Sequence, residues 1–288
     1  MLENFVVAPP RIAVVVLSYG PRRTLGEAIR SILEQDIEAE LVVVHSGPGD
    51  VESHLSPGDR RERLVLSQDR LLPGGARNRG IATTTAPYIA FLADDCRAAP
   101  GWLAARLRAH EEGARAVASA VVSHRPHRPI ALAAHLSLFV RRMPLADPSL
   151  ALRYGASYDR SLFTQYGMFR EDMEGGEDTE FHKRLSEDDK PVWRPEIQTI
   201  HRGAERLGEF LREQSRRGRR SAEAWQAIGT LSPREVARSA LRRTRVITRE
   251  SRQVVEPHQR LTRLLALPFI AAGNISYAWG ALKARSKP

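Results

Sequence analysis

Two pairs of adjacent acids have the residue types and spacing for chemistry. In PYIAFLADDCRAAP an apolar run ends on Asp94 and Asp95, beside Cys96, the one cysteine of 288 residues. Adjacent carboxylates repel unless a cation or a donor stands between them. Two readings follow: a solvated loop at a strand end, or a metal or phosphate site at the edge of a sheet. The second pair, Glu177 and Asp178 in GGEDTEFHKRL, opens a helical pattern. Acids there complement the positive end of a helix, and Gly175 and Gly176 let backbone and substrate approach closely. In PGGARNRG, Arg77 enters a helix start, which suits phosphate, although a solvated arginine fits the same spacing. Cys96 reads as a small packing residue rather than a nucleophile or ligand.

The elements that must position these residues alternate strand and helix. RIAVVVLSY (11–19) is an apolar, β-branched run of the kind buried on both faces. TLGEAIRSILEQ follows as a helix, with Thr24 and Glu27 at capping-box spacing. AELVVVHSGPGD is a second buried strand and RLVLSQ a short third. PGGARNRGIATTT reads as a glycine-rich turn entering a short helix, and PYIAFLADD as another strand. APGWLAARLRAHEEG begins a helix with Pro100 near its first position, and RAVASAVVS is a strand. This order implies a mostly parallel sheet with right-handed crossovers, whose ligands bind at the carboxyl ends of the strands. SYGPRR, HSGPGD and ADDCRAAP each follow a strand, so all three are expected along one edge. Residues 124–165 show little periodicity and are expected to form a loop and helix region over the cleft. The GGEDTEFHKRLSE helix, a strand-like KPVWRPEIQTIH and a basic helix ERLGEFLREQSRRGRR follow. LSPREVARSALRRT starts with Ser232, Pro233 and Glu235, another capping-box arrangement.

Composition limits what the chain can do. Apolar residues make up 42%, enough for a proper core, and the net charge is +10. Between Arg206 and Arg252 stand 13 arginines against five glutamates. Such a region attracts phosphates, nucleic acid or anionic lipid. Binders of single-stranded nucleic acid interleave aromatics for stacking, and here only Phe210 and Trp225 interrupt the run, which argues against nucleic acid. One cysteine excludes an internal disulfide and a multi-cysteine zinc site, and is compatible with a reducing cytoplasm. The amino-terminal segment has acidic Glu3 and no basic region, a poor signal peptide. LLALPFIAAGNISYAWGAL (264–282) is nearly uncharged and flanked by Arg260, Arg263, Lys283 and Arg285. Pro268, Gly273 and Asn274 interrupt it, so an interfacial helix or hairpin is expected sooner than a full span; an ordinary core helix is the competing expectation.

The order of IAVVVLSYG, the capped helix, LVVVHSGPGD, PGGARNRGIA, YIAFLADD and GGEDTEFHKRL resembles the family 2 glycosyltransferases of the GT-A fold, over roughly residues 11–220. The resemblance implies an α/β fold with a Rossmann-like, mostly parallel sheet flanked by helices. It implies a catalytic domain over 1–230, with a nucleotide-sugar half at about 11–123 and an acceptor half at about 124–230. A basic helical tail, 231–288, follows. It further implies transfer of a sugar from a nucleotide-sugar donor to a hydroxyl acceptor with inversion, dependent on Mg²⁺ or Mn²⁺. The acceptor would be a glycan, a lipid-linked group or another hydroxyl.

Residue by residue, Asp95 matches the direct metal ligand of an Asp-x-Asp motif, and Asp94 a contact to ribose or a metal-bound water. Ala93 stands where the family has the first acid. Asp178 matches the base and Glu177 the group that orients the acceptor. Arg77 matches a contact to phosphate or donor sugar, and Asn78 a support for its loop. Ser18 and Tyr19 match contacts to the nucleotide base, and His201 a histidine that reaches the metal or diphosphate. His45 replaces the acid that holds the base in the family. Ala93 and His45 motivate an alternative, a catalytically silent nucleotide-sugar or glycan-binding module; the charge alone motivates a nucleic-acid binder. The basic and apolar carboxyl-terminal segments imply a cytoplasmic protein held peripherally at the inner face of the cell membrane, with an anionic lipid surface as partner.

Overall fold

The structure is a computed structural model that describes residues 10–20, 23–56, 58–153, 155–227 and 232–285. The expected absence of a signal peptide and the expected boundary at 230/231 fall outside these residues. The chain forms two compact units. The first holds the chain up to Ala120 together with Leu152–Ile200; the second holds Val121–Ala151 and the chain from His201 onward.

The first unit carries β1 (Ile12–Tyr19), α1 (Leu25–Leu33), β2 (Glu40–Ser46), β3 (Glu62–Ser67), α2 (Pro73–Thr83), β4 (Tyr88–Ala93), β5 (Cys96–Ala98) and α3 (Trp102–Glu111). Strand β6 (Ala116–Ser123) leads into the second unit, where α4 (Pro129–Phe139) lies. The chain returns through β7 (Ser157–Asp159), α5 (Ser161–Tyr166), α6 (Glu177–Arg184) and β8 (Val192–His201). The sheet runs β3-β2-β1-β4-β7-β6-β8-β5. β1 pairs parallel with β2 and β4, and β2 parallel with β3, whereas β7 is antiparallel to β4 and β6. The architecture is thus a mixed, mostly parallel sheet flanked by helices, as expected.

The continuous apolar runs are explained by a core on each face. Val14, Val16, Leu41 and Val43 pack with Leu25, Ile29, Trp102 and Leu103. Their alternates Val15, Val42 and Val44 pack with Ile81, Phe91, Tyr158, Phe169 and Phe181. Side chains alternate along a strand, so a run covered on both sides has no polar phase.

Local expectations fare unevenly. Ser232 forms the full capping box with Glu235, because its extended backbone aims the hydroxyl at the Glu235 N–H. Thr24 does not: it is already helical, at φ −83° and ψ −16°, and makes no side-chain cap. The glycines of PGGARNRG are not a turn before a helix but its first turn, since α2 begins at Pro73. Pro100 precedes α3 rather than opening it, and Gly101, at φ +75°, caps it.

The second unit is helical: α4, α7 (Leu207–Ala227), α8 (Pro233–Val254) and α9 (Arg260–Arg285). The expected hairpin in 264–282 does not form; α9 runs 26 residues with Pro268 inside it. The residues that looked like interruptions are packing devices. A Cβ on Gly273 would strike the Phe210 ring, one on Gly280 the Ser215 carbonyl, and one on Gly218 the Tyr277 carbonyl. Helices α7 and α9 therefore meet backbone to backbone. Buried Asn274 donates to Thr244 Oγ1 at 2.9 Å and accepts from Arg243 Nε at 3.3 Å. Helix α9 is long and apolar enough to cross a membrane by length and composition, yet Ala266, Ile270, Tyr277 and Ala281 are buried within this unit.

Candidate functional site

Parallel strands that share a direction bring their carboxyl ends together, and the first unit does this with the ends of β1, β2 and β4. Leu17 pairs with Ala93, and Ser18 with His45. Beyond this register Asp94 is 6% exposed. Its backbone N–H donates to the Leu17 carbonyl at 3.1 Å, and its Oδ2 accepts from the Tyr19 N–H at 3.4 Å. Asp94 thus ties β4 to β1. Its neighbours differ: Ala93, the last residue of β4, is exposed, and Asp95, in the turn that follows, is half-buried. The Cys96 thiol donates to Asp95 Oδ1 at 3.4 Å, and Cys96 packs against the core below.

His45 is buried, with Nδ1 3.1 Å from Ser18 Oγ and Nε2 3.1 Å from the Gly47 carbonyl. That carbonyl only accepts, so Nε2 carries a proton. The ring latches the end of β1 to the turn after β2. Gly47, at φ +79°, lies beneath the Tyr19 ring, where a Cβ would approach to 3.1 Å. Tyr19 itself is exposed, and the Arg70 guanidinium stands 5.4 Å from its ring centre.

The second acid pair meets Arg77 in the same unit. Gly176, at φ +84°, caps α6 and turns Glu177 and Asp178 inward, both buried. Arg77 Nη2 lies 3.1 Å from Glu177 Oε1 and 3.9 Å from Asp178 Oδ2. Asp178 also accepts from the backbone N–H of Gly155 at 3.2 Å and of Thr179 at 2.8 Å. The Arg77 guanidinium lies 5.0 Å and 5.2 Å from the Phe91 and Phe169 ring centres. Its Nε and Nη1 are buried without a hydrogen-bond partner among the described residues. An orphaned buried donor costs about 1–3 kcal/mol, so these two N–H groups are suited to an incoming acceptor.

Asn78 holds the frame rather than the site. Its amide donates to the Phe169 carbonyl at 2.9 Å and to Glu171 Oε1 at 2.8 Å, and its Oδ1 accepts from the Phe169 N–H at 3.1 Å. A Cβ on Gly74 would strike the Arg170 carbonyl, so glycine is what allows this segment to lie on α2. Below the acid pair the Tyr158 hydroxyl and His182 Nε2 share a hydrogen bond of 2.7 Å. Burial holds His182 down at about 4 and pushes the Tyr158 phenol well up. His201 closes β8 and falls in the second unit, its ring 4.9 Å from Phe139 and 6.3 Å from His135.

Sequence reasoning missed Arg70, Glu171, Tyr158 and His182. Arg70 and Glu171 lie in connections without a motif. The Tyr158–His182 pair joins a strand residue to a helix residue that only the fold brings together. The signal that was present, acids flanked by glycine, pointed to the start of α6, where Glu177 and Asp178 meet Arg77.

Known proteins resemble this chain in sequence and in fold. The glycosyl transferase family 2 model matches residues 13–158, which include Arg77 and both edge acids but not Glu177 and Asp178. The chain is 28% identical over 110 residues to GalNAc(5)-diNAcBac-PP-undecaprenol beta-1,3-glucosyltransferase of Campylobacter jejuni, a match over 36% of each chain. It is 36% identical over 89 residues to succinoglycan biosynthesis protein ExoO of Rhizobium meliloti, over 30% of this chain and 26% of that one. It thus spans well under half the length of either curated relative. Among solved structures it is similar to the mannosyltransferase PcManGT from Pyrobaculum calidifontis, in complex with GDP-Man and Mn²⁺. That similarity has a TM-score of 0.59 at 19% identity, over 95% of this chain and 87% of that one. It is also similar to S. aureus TarS 1-349, with a TM-score of 0.50 at 13% identity, over 93% and 92% of the two chains. The shared fold is that of the GT-A enzymes, and with more than half its length matched the chain belongs to glycosyl transferase family 2.

Proposed function

We propose that this protein transfers a sugar from a nucleotide-sugar donor to a hydroxyl acceptor with inversion at the anomeric carbon. The observation that carries the reading is the buried Arg77–Glu177–Asp178 group, whose arginine keeps two N–H donors without a partner among the described residues. The nucleotide lies across the carboxyl edge of β1 and β2, beside exposed Tyr19 and the Arg70 guanidinium that stands over its ring. Ser18 and Asp94 hold that edge in shape, one through His45 and the other through the Tyr19 N–H. Arg77 donates Nε and Nη1 to the diphosphate or the donor sugar. Asp178 takes the proton of the acceptor hydroxyl while Glu177, fixed by Arg77, orients it. The hydroxyl oxygen attacks the anomeric carbon from the face opposite the diphosphate. The bond to the diphosphate oxygen breaks, and its electron pair leaves with the phosphate.

The edge acids fit a divalent cation. Among the described residues no group of three or more His, Cys, Asp or Glu is poised to hold a metal. Mg²⁺ is commonly bound by one or two carboxylates plus substrate phosphates rather than by a dedicated cage, and half-buried Asp95 is such a carboxylate. Bound there, Mg²⁺ or Mn²⁺ would offset the charge that develops on the diphosphate. The Mn²⁺ and GDP-Man named with the mannosyltransferase structure, and the undecaprenol-linked glycan named for the Campylobacter relative, support a metal, a nucleotide sugar and a lipid-linked acceptor here.

A second reading is a silent nucleotide-sugar-binding module of the same fold. It is favoured by Ala93, exposed where the family has an acid, and by His45, both of whose ring nitrogens lie within hydrogen-bond distance of Ser18 and Gly47. The two readings separate in one experiment. Asp178→Asn should lower transfer about a hundredfold or more, the low end for general-base catalysis, while nucleotide affinity measured by calorimetry stays the same. Asp95→Ala should remove the Mn²⁺ dependence of nucleotide binding. No transfer by the native protein with any donor, together with metal-independent nucleotide binding, would establish the silent module.

A further inference from the structure

Two exposed stripes run along the hairpin of α8 and α9. On α8 the exposed residues Arg234, Arg238, Arg242, Arg245, Arg249 and Arg252 recur at spacings of four and three. At 3.6 residues per turn they fall within a sector of about 80°. Among the described residues only Arg249 has a nearby acid, Glu250 at 3.8 Å. On α9 the exposed residues Leu261, Leu264, Leu265, Pro268, Ile275 and Trp279 likewise share one side, with Ile275 70% and Trp279 58% exposed.

The contacts within the unit fix which way these stripes point. Thr244 meets Asn274, and Arg243 stacks 4.3 Å from the Tyr277 ring centre, so the two helices lie side by side and antiparallel. Helix α8 turns Glu250 to Arg141, a bidentate pair with its closest approach at 2.7 Å. Helix α9 turns Gly273 and Gly280 to α7. On the helical wheel each stripe lies roughly opposite its own helix's buried side and starts about 80° round from the side facing the other helix. An antiparallel pair arranged in this way shows both stripes on one outer face, arginines along one rail and apolar side chains along the other.

We propose that this face docks flat on an anionic lipid bilayer. A soluble protein that exposes a continuous apolar stripe of this length uses it for contact. The unbroken row of arginines chooses the occupant, because it complements phosphate-bearing headgroups and opposes another copy of itself. The two signals together, an apolar helix face and a basic cluster, are what stable peripheral attachment requires. Helix α9 lies in the interface rather than across it, since its other side is committed to α4, α7 and α8. The proposal does not depend on glycosyl transfer.

The test uses the full chain, because removing α9 would remove the helix on which the unit packs. Sedimentation is compared with vesicles of mixed phosphatidylglycerol and phosphatidylcholine and with vesicles of phosphatidylcholine alone. The native protein should partition onto the anionic vesicles, and high salt should weaken this without abolishing it. The combined variant Arg238→Gln, Arg242→Gln, Arg245→Gln and Arg252→Gln should lose at least about tenfold in partitioning. Ile275→Ser with Trp279→Ser should lose the salt-resistant part. Both variants change only exposed residues, and unchanged thermal unfolding would show that they fold. Equal sedimentation of native protein and variants, or none by the native protein at low salt, would overturn the proposal. So would a dimer in analytical ultracentrifugation that the Ile275 and Trp279 changes dissociate while lipid is ignored.

Discussion

The two units lean on different packing devices. The first buries charge: Arg77, Glu177, Asp178 and Asp94 all lie inside, each held by groups distant in sequence. The second buries bare backbone: glycines let α7 and α9 touch, while most of its arginines stay outside. Buried charge fixes position at high cost if one member is lost. Close backbone contact fixes a helix pair with no polar specificity and leaves the outer faces free for another use. The first arrangement suits a site that must hold its geometry, the second a scaffold that presents a surface.

Substitutions chosen on either side should separate the units, and the largest effect is expected at Arg77. Arg77→Leu leaves two buried carboxylates uncompensated, a change that costs about 3–5 kcal/mol. Urea unfolding should show that loss, and transfer should vanish with it; a stable but inactive variant would instead limit Arg77 to substrate contact.

Acid should weaken the first unit next. His110 is buried, donating from Nδ1 to the Ala114 carbonyl at 2.7 Å and accepting at Nε2 from Ser157 at 2.9 Å. Burial lowers its pKa to about 4 from 6.5. Between those values the unfolded chain binds a proton that the native state refuses. Stability is therefore full above about pH 6.5 and falls as pH drops toward 4, by about 3 kcal/mol from this group once pH is below both values. Unfolding midpoints measured from pH 7 to 4.5 should fall less steeply in His110→Gln.

In the second unit, Gly280→Ala forces a Cβ against the Ser215 carbonyl. Overpacking of this kind costs about 1–3 kcal/mol. Thermal unfolding should register the loss while nucleotide affinity is kept, and an unchanged melting temperature would mean that α7 and α9 do not meet as closely as described. The smallest effects belong to the caps. Ser232→Ala should cost about 1 kcal/mol, as loss of a working N-cap does. Thr24→Ala should cost next to nothing, because Thr24 makes no side-chain cap. Equal losses in a paired denaturation experiment would contradict the difference in their backbone conformations.

Those two caps show where reading the sequence works. Ser232 and Thr24 have the same spacing to a glutamate, and only the backbone conformation of each tells them apart. The apolar runs, the alternation of strand and helix and the glycine-flanked acids were legible because they depend on residue type and short-range period. Alternation dictated that a run such as IAVVVLSY needs cover on both faces, and glycine beside Glu177 and Asp178 marked a turn into a helix.

The tertiary structure alone decided what each polar group faces. Asp94 and Asp95 look equivalent in sequence, but the turn after β4 buries the first on the Tyr19 N–H and leaves the second half-exposed. Arg77 and Glu177 are a hundred residues apart, and no local pattern says that they pair. Gly273 and Asn274 read as breaks in an apolar segment, yet the neighbours they touch make them contacts in one unbroken helix. The physical reason is common to all three. Conformational preference is local and is written in neighbouring residues, whereas the partner of a buried group is set by which distant segments the folded core places against it.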